Sequence, residues 1–316
     1  MDLIYNFNLK TYAAAPEPEK QNMRQLITSS LATTGCLYLA NTSIDQKTIV
    51  AIQNLSQAFF QQSVEQKNTV KKPDTKTMRG YSAFASESLS WNTEIKTPRD
   101  LNESFVIGPL KSQGRTDRSP ENIWPAFNES FKTVWENYYS EMENISANLL
   151  DIFSDCLNIP NDFFIKNTSQ HTSLMRARFY PLMTSPPEVN QFRVGPHTDF
   201  GSFSITLEQT GTKRMDFFNT ERKNWVPVAP IEGHFILNLG DLFARLTNDF
   251  WKAPVRRVVA LDDGSKQLSV IFLHSFNHDT LVKSFDSFAT SSYPSKYPPV
   301  TTAEHIALKM KPGLNY

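Results

Sequence analysis

The feature that most constrains the fold is a change of hydrophobic period near residue 172. From there to residue 275, apolar and polar residues alternate in short runs, as they do along strands with one buried face. These runs span residues 174–180, 203–209, 214–219, 224–230, 234–240, 255–261 and 267–275, separated by turn sequences such as TSPP, QTGT and DDGS. Seven short strands at this spacing predict a sandwich or jelly roll.

The part of the chain before residue 172 follows a helical period instead. Apolar residues recur at helical spacing over 17–33, and again from about 123 to 157, where Pro160 ends the pattern. Asp45 is expected to cap a further helix, and residues 81–120 are expected to be irregular. The sequence therefore predicts a mainly β fold with flanking α structure: a double-stranded β-helix, or jelly roll, backed by a long helix.

We predict one domain made of four segments. They are an N-terminal helical and irregular wrap (1–120), the backing helix (121–160), the jelly-roll core (172–280) and a C-terminal closing segment (281–316). No internal repeat and no change of composition indicates a second domain.

Charge and composition argue against several classes of partner. Lys+Arg and Asp+Glu both number 32, so neither nucleic acid nor an acidic membrane surface is an expected partner. The N-terminus lacks the pattern of a secretory signal, and no stretch is apolar enough to span a membrane. Cys36 and Cys156 are expected to be free thiols in a reducing compartment. We expect a cytoplasmic protein with a small-molecule substrate, and nothing in the sequence indicates an oligomeric state.

One pair of residues suggests a metal site. His197 and Asp199 lie two apart at the end of an expected strand, so their side chains point the same way. An imidazole and a carboxylate so placed are two of the three ligands of the facial triad that holds non-haem Fe(II). Such a pair is expected by chance in a chain with 6 histidines and 32 acidic residues, so neighbouring segments must decide.

Taken together, several segments resemble the isopenicillin N synthase-like branch of the Fe(II)- and 2-oxoglutarate-dependent dioxygenases. In chain order they are TGCLYL (34–39), AFF (58–60), RGY (79–81), DLNESFVIG (100–108), FYP (179–181), HTDFG (197–201), NLGD (238–241), LTNDFWKAPVRRVV (246–259) and SVIFLHSFNHD (269–279). Their order and spacing, more than any one segment, carry the resemblance.

The resemblance implies a jelly-roll oxidoreductase in which two histidines and one carboxylate hold Fe(II). It also implies that 2-oxoglutarate chelates the metal, while an arginine two residues before a serine grips the distal carboxylate of this cosubstrate. By position, His197 and Asp199 match two metal ligands. Tyr180 matches a tyrosine that faces the cosubstrate, and Ser269 matches the serine of the arginine-serine pair.

Two positions depart from the family pattern. Arg256 stands where the resemblance places the second histidine, and a guanidinium neither donates a lone pair to iron nor tolerates a nearby cation. Gln267 stands where the carboxylate-binding arginine is expected, and it lacks the charge. We expect Arg256 to pair with Asp199, with a further hydrogen bond from His197, and both Fe(II) and 2-oxoglutarate to be doubtful cofactors.

The lost anchor has two candidate replacements, Arg178 and Arg176, on the strand that leads to Tyr180. The alternative is that both form salt bridges on the surface of the strand. Four aromatic residues are candidates for lining the substrate pocket or, equally, for the core: Tyr81, Phe84, Trp91 and Phe276.

Three functions fit these residues. The first is an oxygenase-like oxidoreductase acting on a small organic molecule, such as a natural-product intermediate, with non-standard use of iron and 2-oxoglutarate. The second is a metal-independent, redox-neutral catalyst of cyclisation, elimination or isomerisation, with Arg256 as an electrostatic group and His197 as an acid-base group. The third is a non-catalytic small-molecule-binding protein. We take the first as the primary interpretation.

Overall fold

The computed structural model describes residues 4–73, 78–89, 98–110, 120–208, 215–220, 222–260 and 266–310. Its strands are β1 (Tyr5–Asn8), β2 (Cys36–Ala40), β3 (Gly80–Ser82), β4 (Glu103–Ile107), β5 (Leu174–Tyr180), β6 (Val194–His197), β7 (Phe203–Glu208), β8 (Met215–Asn219), β9 (Asn224–Val228), β10 (His234–Leu239), β11 (Arg256–Val258), β12 (Gln267–His274), β13 (Leu281–Val282) and β14 (Val300–Thr301). Its helices are α1 (Leu9–Ala14), α2 (Glu17–Thr33), α3 (Gln46–Phe60), α4 (Val64–Asn68), α5 (Glu129–Leu157), α6 (Asp162–Thr168), α7 (Asp241–Leu246) and α8 (Thr302–Lys309).

Two sheets form the body of the protein. Within the described ranges, the major sheet has eight strands in the order β1-β2-β10-β7-β12-β5-β4-β3, and the minor sheet has four in the order β6-β11-β8-β9. A small apolar cluster joins their inner faces, with Tyr38 and Ile236 from the major sheet against Met215, Phe217 and Val228 from the minor sheet. Two facing sheets of this kind are the predicted double-stranded β-helix, so the fold prediction is confirmed.

The outer face of the major sheet packs against helix α5. Alternate residues of the strands, such as Phe203, Ile205 and Leu207 of β7, are buried in one large core with the apolar side of this helix. Phe153 of α5 meets the ring of Phe203 edge-on at 6.1 Å between centroids. Helix α5 starts at an Asn128 cap, later than the periodicity predicts, but it ends at the predicted residue.

The N-terminal segment contributes strands as well as helices. Strand β4 pairs antiparallel with β5, and β3 pairs with β4, so the prediction of irregular structure over 81–120 is wrong at these two strands. The other described residues of this stretch have no regular secondary structure. The five residues of β4 are all buried. A strand covered on both faces shows no apolar-polar alternation, which is why periodicity misses it. The segment boundaries near 120, 160 and 280 stay predictions.

No helix within the described ranges combines the length and the apolar character needed to cross a membrane.

Candidate active site

The inner face of the major sheet is unusually polar for a surface enclosed between two sheets. The strand register places Arg178 of β5, Ser269 of β12 and Glu208 of β7 in one row, with Tyr180 beside Gln267 in the next. The intervening residues of the same strands point outward into the core. Because buried polar side chains are uncommon unless they are paired or functional, this face is the candidate site.

A turn held against helix α7 positions His197 and Asp199, the two residues that match metal ligands in the sequence. His197 ends β6, and the backbone of Asp199 accepts a hydrogen bond of 2.8 Å from the amide of Asp241, the first residue of α7. A Cβ added at Gly240 would lie 2.3 Å from the carbonyl oxygen of Gly201. Only glycine allows this close approach of the two backbones, so Gly240 fixes where the Asp199 side chain begins.

Arg256 and Asp199 form a buried ion pair. Arg256 lies directly opposite His197 in the pairing of β11 with β6. Its Nη2 donates to both carboxylate oxygens of Asp199, at 2.7 Å and 2.9 Å. Asn238 Nδ2 donates to the same carboxylate at 2.8 Å. The pair that the sequence predicts is therefore present, and Asn238 provides the additional hydrogen bond that such a pair needs.

His197 does not contribute that additional hydrogen bond, contrary to expectation. Its Nδ1 lies 2.8 Å from the carbonyl oxygen of Gly195, a contact that requires the proton on Nδ1. Nε2 then carries a lone pair and lies 3.6 Å from Asp199 Oδ1, which is also an acceptor. Two acceptors cannot hydrogen-bond to each other, so the imidazole only borders the ion pair.

Burial and the charge of Arg256 determine the protonation states of His197 and Asp199. Burial and the neighbouring guanidinium lower the pKa of His197 to about 3. Burial raises the pKa of Asp199, but the charge of Arg256 and the surrounding hydrogen bonds outweigh it, and that pKa lies at about 2. At neutral pH His197 is therefore uncharged and weakly basic, so its Nε2 has no proton to donate until it accepts one from a substrate, and Asp199 is an anion.

The donor set does not fit the iron centre of a facial triad. Both oxygens of Asp199 already accept hydrogen bonds from the guanidinium of Arg256, the residue at the position that the family resemblance gives to the third ligand. Among the described residues, no three His, Cys, Asp or Glu side chains are grouped so that they could hold a metal ion. Arg256 fills with its own charge the place that a divalent ion would need.

The residues expected around 2-oxoglutarate do not fit that cosubstrate either. Tyr180, Gln267, Glu208 and Met215 line a cavity of about 10 Å³, which is room for about one water molecule. The Ser269 hydroxyl donates to Glu208 Oε2 at 2.7 Å, so it already has a carboxylate partner within the protein. Burial raises the pKa of Glu208 to about 7, although Ser269, Arg256 and Arg178 act in the opposite direction.

Both candidate replacement anchors are buried, so the alternative of salt bridges at an exposed strand surface is wrong about the location, although Arg176 does form an ion pair. Arg176 Nη1 lies 3.8 Å from Glu87 Oε2 and so points toward another acidic residue. Arg178 lies beside Ser269 across the strand pairing, and its Nε has no hydrogen-bond partner among the described residues. Of the two, only Arg178 is next to the site where an anchor would act.

Two of the four aromatic candidates, Tyr81 and Phe276, belong to the apolar core. Tyr81 packs on Phe59, with 5.9 Å between ring centroids, and Phe276 is fully buried in the core behind the major sheet. Phe84 is about half exposed, and Trp91 lies outside the described residues.

Four of the five remaining histidines make side-chain contacts elsewhere in the described structure. Their contacts include His171 with Glu143, His274 with Ser202, His305 with Asp241 and His234 with Asn6.

Two residues of the site are missed by sequence reasoning, Glu208 and Asn238. Each occupies an inward position of an alternating strand, and this parity is the signal that could have identified them. Glu208 lies an even number of residues from Ser204, whose hydroxyl donates to Asn238 Oδ1 at 2.8 Å. An acidic residue at an inward position of a strand indicates a candidate site residue, just as a histidine there does.

Family models match two parts of the chain. The model described as "non-haem dioxygenase in morphine synthesis N-terminal" matches residues 7–127, and that of the "2OG-Fe(II) oxygenase superfamily" matches residues 171–275. The second range contains every residue of the site described above.

Individual relatives agree with these matches. The 2-oxoglutarate-Fe(II) type oxidoreductase hxnY of Emericella nidulans is 26% identical over 298 residues, covering 91% of this chain and 83% of that relative. Validamycin A dioxygenase of Streptomyces hygroscopicus subsp. limoneus is 24% identical over 277 residues, covering 85% and 75%. The crystal structure of a full-length Neurospora crassa protein in complex with alpha-KG and thymine has a TM-score of 0.85 at 23% identity, covering 97% and 96%. The two relatives with named activities are thus an oxidoreductase and a dioxygenase, and the solved structure shares the fold.

Proposed function

The chain belongs to the 2-oxoglutarate- and Fe(II)-dependent oxygenase superfamily, and from this premise we propose that it is an enzyme in which the Arg256–Asp199 pair replaces the iron centre. Its substrate is a small organic molecule, as it is for the relatives whose names state one. Its reaction is redox-neutral. The observation that carries the proposal is the pair of hydrogen bonds from Arg256 Nη2 to both oxygens of Asp199.

The unused donors of Arg256 support a role toward a substrate. Its Nε is buried and has no hydrogen-bond partner among the described residues, while its Nη1 has a weak contact of 3.8 Å with Met215 Sδ. A buried donor without a partner is costly, and an oxygen atom of a bound molecule would satisfy it. A guanidinium held by Asp199 is well placed to stabilise negative charge that develops on a carbonyl or carboxylate oxygen.

His197 complements this role as a proton acceptor. Its Nε2 lone pair borders the ion pair, 3.6 Å from Asp199 Oδ1. In an isomerisation of a β,γ-unsaturated carbonyl compound, Nε2 would accept a proton from the α carbon, and the electron pair would move onto the carbonyl oxygen at Arg256. The resulting dienolate would take the same proton back at its γ carbon, while the double bond moves into conjugation with the carbonyl group. Such a step leaves the oxidation state of the substrate unchanged.

A second candidate is an iron oxygenase with a two-residue metal site. The proximity of His197 Nε2 and the Asp199 carboxylate, together with the activities of the relatives, favours it. This function requires Arg256 to leave Asp199, which costs the two hydrogen bonds that hold it.

Mass changes in small molecules distinguish these candidates before the substrate is known. The purified protein would be incubated with a small-molecule extract, with and without a chelator, and consumed compounds and products would be identified by mass spectrometry. We expect a product with the mass of its substrate, or that mass less water, and an unchanged rate on addition of chelator. The matched variants are Arg256→Leu, expected to lose the reaction, and Arg257→Leu, whose guanidinium pairs instead with Asp216 at 2.9 Å, expected to retain it.

Two results would contradict the proposal. Products that gain one oxygen atom or lose two hydrogen atoms, formed only without chelator, would establish the iron oxygenase. Binding of a small molecule without any product would establish a non-catalytic protein.

A further inference from the structure

The row formed by Arg178, Ser269 and Glu208 crosses three strands of the major sheet and includes a carboxylate that belongs to the protein. Ser269 of β12 has Arg178 of β5 as its neighbour on one side and Glu208 of β7 on the other. The Ser269 hydroxyl donates to Glu208 Oε2 at 2.7 Å. Ser269 matches the serine of the family's arginine-serine pair, whose arginine grips the distal carboxylate of the cosubstrate, and here this serine holds a carboxylate of the protein.

The space beside this hydrogen bond is small. Glu208 shares the cavity of about 10 Å³ with Tyr180 and Gln267. The Gln267 Nε2 group is buried and has no hydrogen-bond partner among the described residues, so it does not hold the Glu208 carboxylate in place. The cavity has room for about one water molecule, not for the end of a dicarboxylic acid.

We infer that Glu208 is a specificity residue that excludes dicarboxylates from the cavity that it shares with Tyr180 and Gln267. The inference deepens the proposed function, on which it rests, because it explains how the site is kept from the family cosubstrate independently of the missing arginine. A second carboxylate next to Glu208 would meet a like charge and a hydroxyl whose proton is already donated.

Glu208 also limits what restoring the missing arginine would achieve. An arginine introduced at position 267 would lie beside Glu208 in the same cavity and would pair with it. The Gln267→Arg substitution alone should therefore not create a binding site for 2-oxoglutarate. Removal of the Glu208 carboxylate is needed as well, because it frees the arginine, the serine hydroxyl and the space together.

Calorimetric titration with two probes, glutarate and 2-oxoglutarate, tests this inference in EDTA at pH 8. The proteins are wild type, Gln267→Arg, Gln267→Arg/Glu208→Ala and the matched control Gln267→Arg/Glu188→Ala, where Glu188 is exposed at the surface. We expect the Glu208 double variant to bind both probes about 10- to 100-fold more tightly than the other three, the gain expected from a charge-assisted pair of hydrogen bonds. Circular dichroism and the melting temperature establish that each variant is folded.

A second measurement uses pH and requires no additional variant. The charged or titratable groups that face Glu208 are Arg178 and Tyr180 of β5 and Arg256 of β11. Because burial raises the pKa of Glu208 to about 7, its carboxylate loses its charge as the pH falls from 8 to 6. In Gln267→Arg the introduced guanidinium lowers this pKa, so glutarate affinity should rise as the pH falls through that lower value, and the affinity of the Glu208 double variant should not.

Two results would overturn the inference. One is Gln267→Arg binding glutarate as tightly as the Glu208 double variant. The other is a folded double variant with no gain over its Glu188 control. Neither result depends on identifying the native reaction, so failure here is distinguishable from failure of the redox-neutral function.

Discussion

Replacement of Arg256 by histidine should exchange an internal ion pair for a metal site. In the native protein Arg256 Nη2 gives two hydrogen bonds to Asp199, and both side chains are buried. Histidine is too short to reproduce both bonds, so Asp199 keeps Asn238 as its hydrogen-bond donor. The introduced imidazole would instead enter a group with His197 and Asp199, which is the ligand set of a facial triad.

The magnitude follows from the burial of the pair. Removal of one partner from a buried ion pair costs about 3–5 kcal/mol, because the remaining charge has lost its counter-ion. We therefore expect Arg256→His in EDTA to be about 3 kcal/mol less stable than the wild type. Fe(II) at about 100 times its dissociation constant would add about 2.7 kcal/mol to the variant and nothing to the wild type.

Urea denaturation under anaerobic conditions, with EDTA or with Fe(II), measures both quantities. The matched control is Arg257→His, whose native guanidinium lies over the ring of Trp225, partly exposed and outside the site. This control should lose less stability than Arg256→His, because its ion pair is more exposed, and should not respond to Fe(II). A variant Arg256→His as stable as the wild type in EDTA, or one that Fe(II) does not stabilise, would refute the reasoning.

Three further predictions concern the surroundings of this pair. Because burial raises the pKa of Glu208 from 4.5 to about 7, the native fold loses stability as the pH rises through that range. The Glu208→Gln variant should therefore be about 1–2 kcal/mol more stable than the wild type at pH 8, a value reduced from that of the full pKa shift because Glu208 is partly exposed, and equally stable at pH 4. Chemical denaturation at both pH values measures this difference, and equal stabilities at pH 8 would disprove it. Asn238→Leu removes a hydrogen bond of 2.8 Å to Asp199 and should cost about 1–3 kcal/mol in urea denaturation, and a neutral effect would show that the bond is dispensable. Gly240→Ala places a methyl group 2.3 Å from the Gly201 carbonyl oxygen and should lower the melting temperature, whereas an unchanged melting temperature would show that this turn yields easily.

The jelly roll could be predicted because several of its strands, such as β5 and β7, have one apolar face. The alternation over residues 174–180, for example, gives the bounds of β5 without error, since Met175, Ala177 and Phe179 pack outward and the residues between them point inward. Strand β4 lacks this pattern because both of its faces are covered, so periodicity does not reveal it.

The candidate site could be predicted in part, for a related reason. His197, Asp199 and Arg256 are recognisable because each occupies a position with a known role in similar sequences, and their charges imply the pairing seen here. Glu208 has no such position. Its significance comes from lying next to Ser269, a contact made by the order of strands in the sheet across 61 residues of chain, and periodicity does not give strand order.

The iron content of the wild-type protein tests the central claim most directly. The protein would be loaded with Fe(II) under anaerobic conditions, desalted, and assayed by elemental analysis beside His197→Ala. Because Arg256 occupies the third ligand position and engages both oxygens of Asp199, we predict far less than one iron per chain and no difference between the two proteins. One iron per chain in the wild type, lost in His197→Ala, would contradict the claim that an ion pair has replaced the metal.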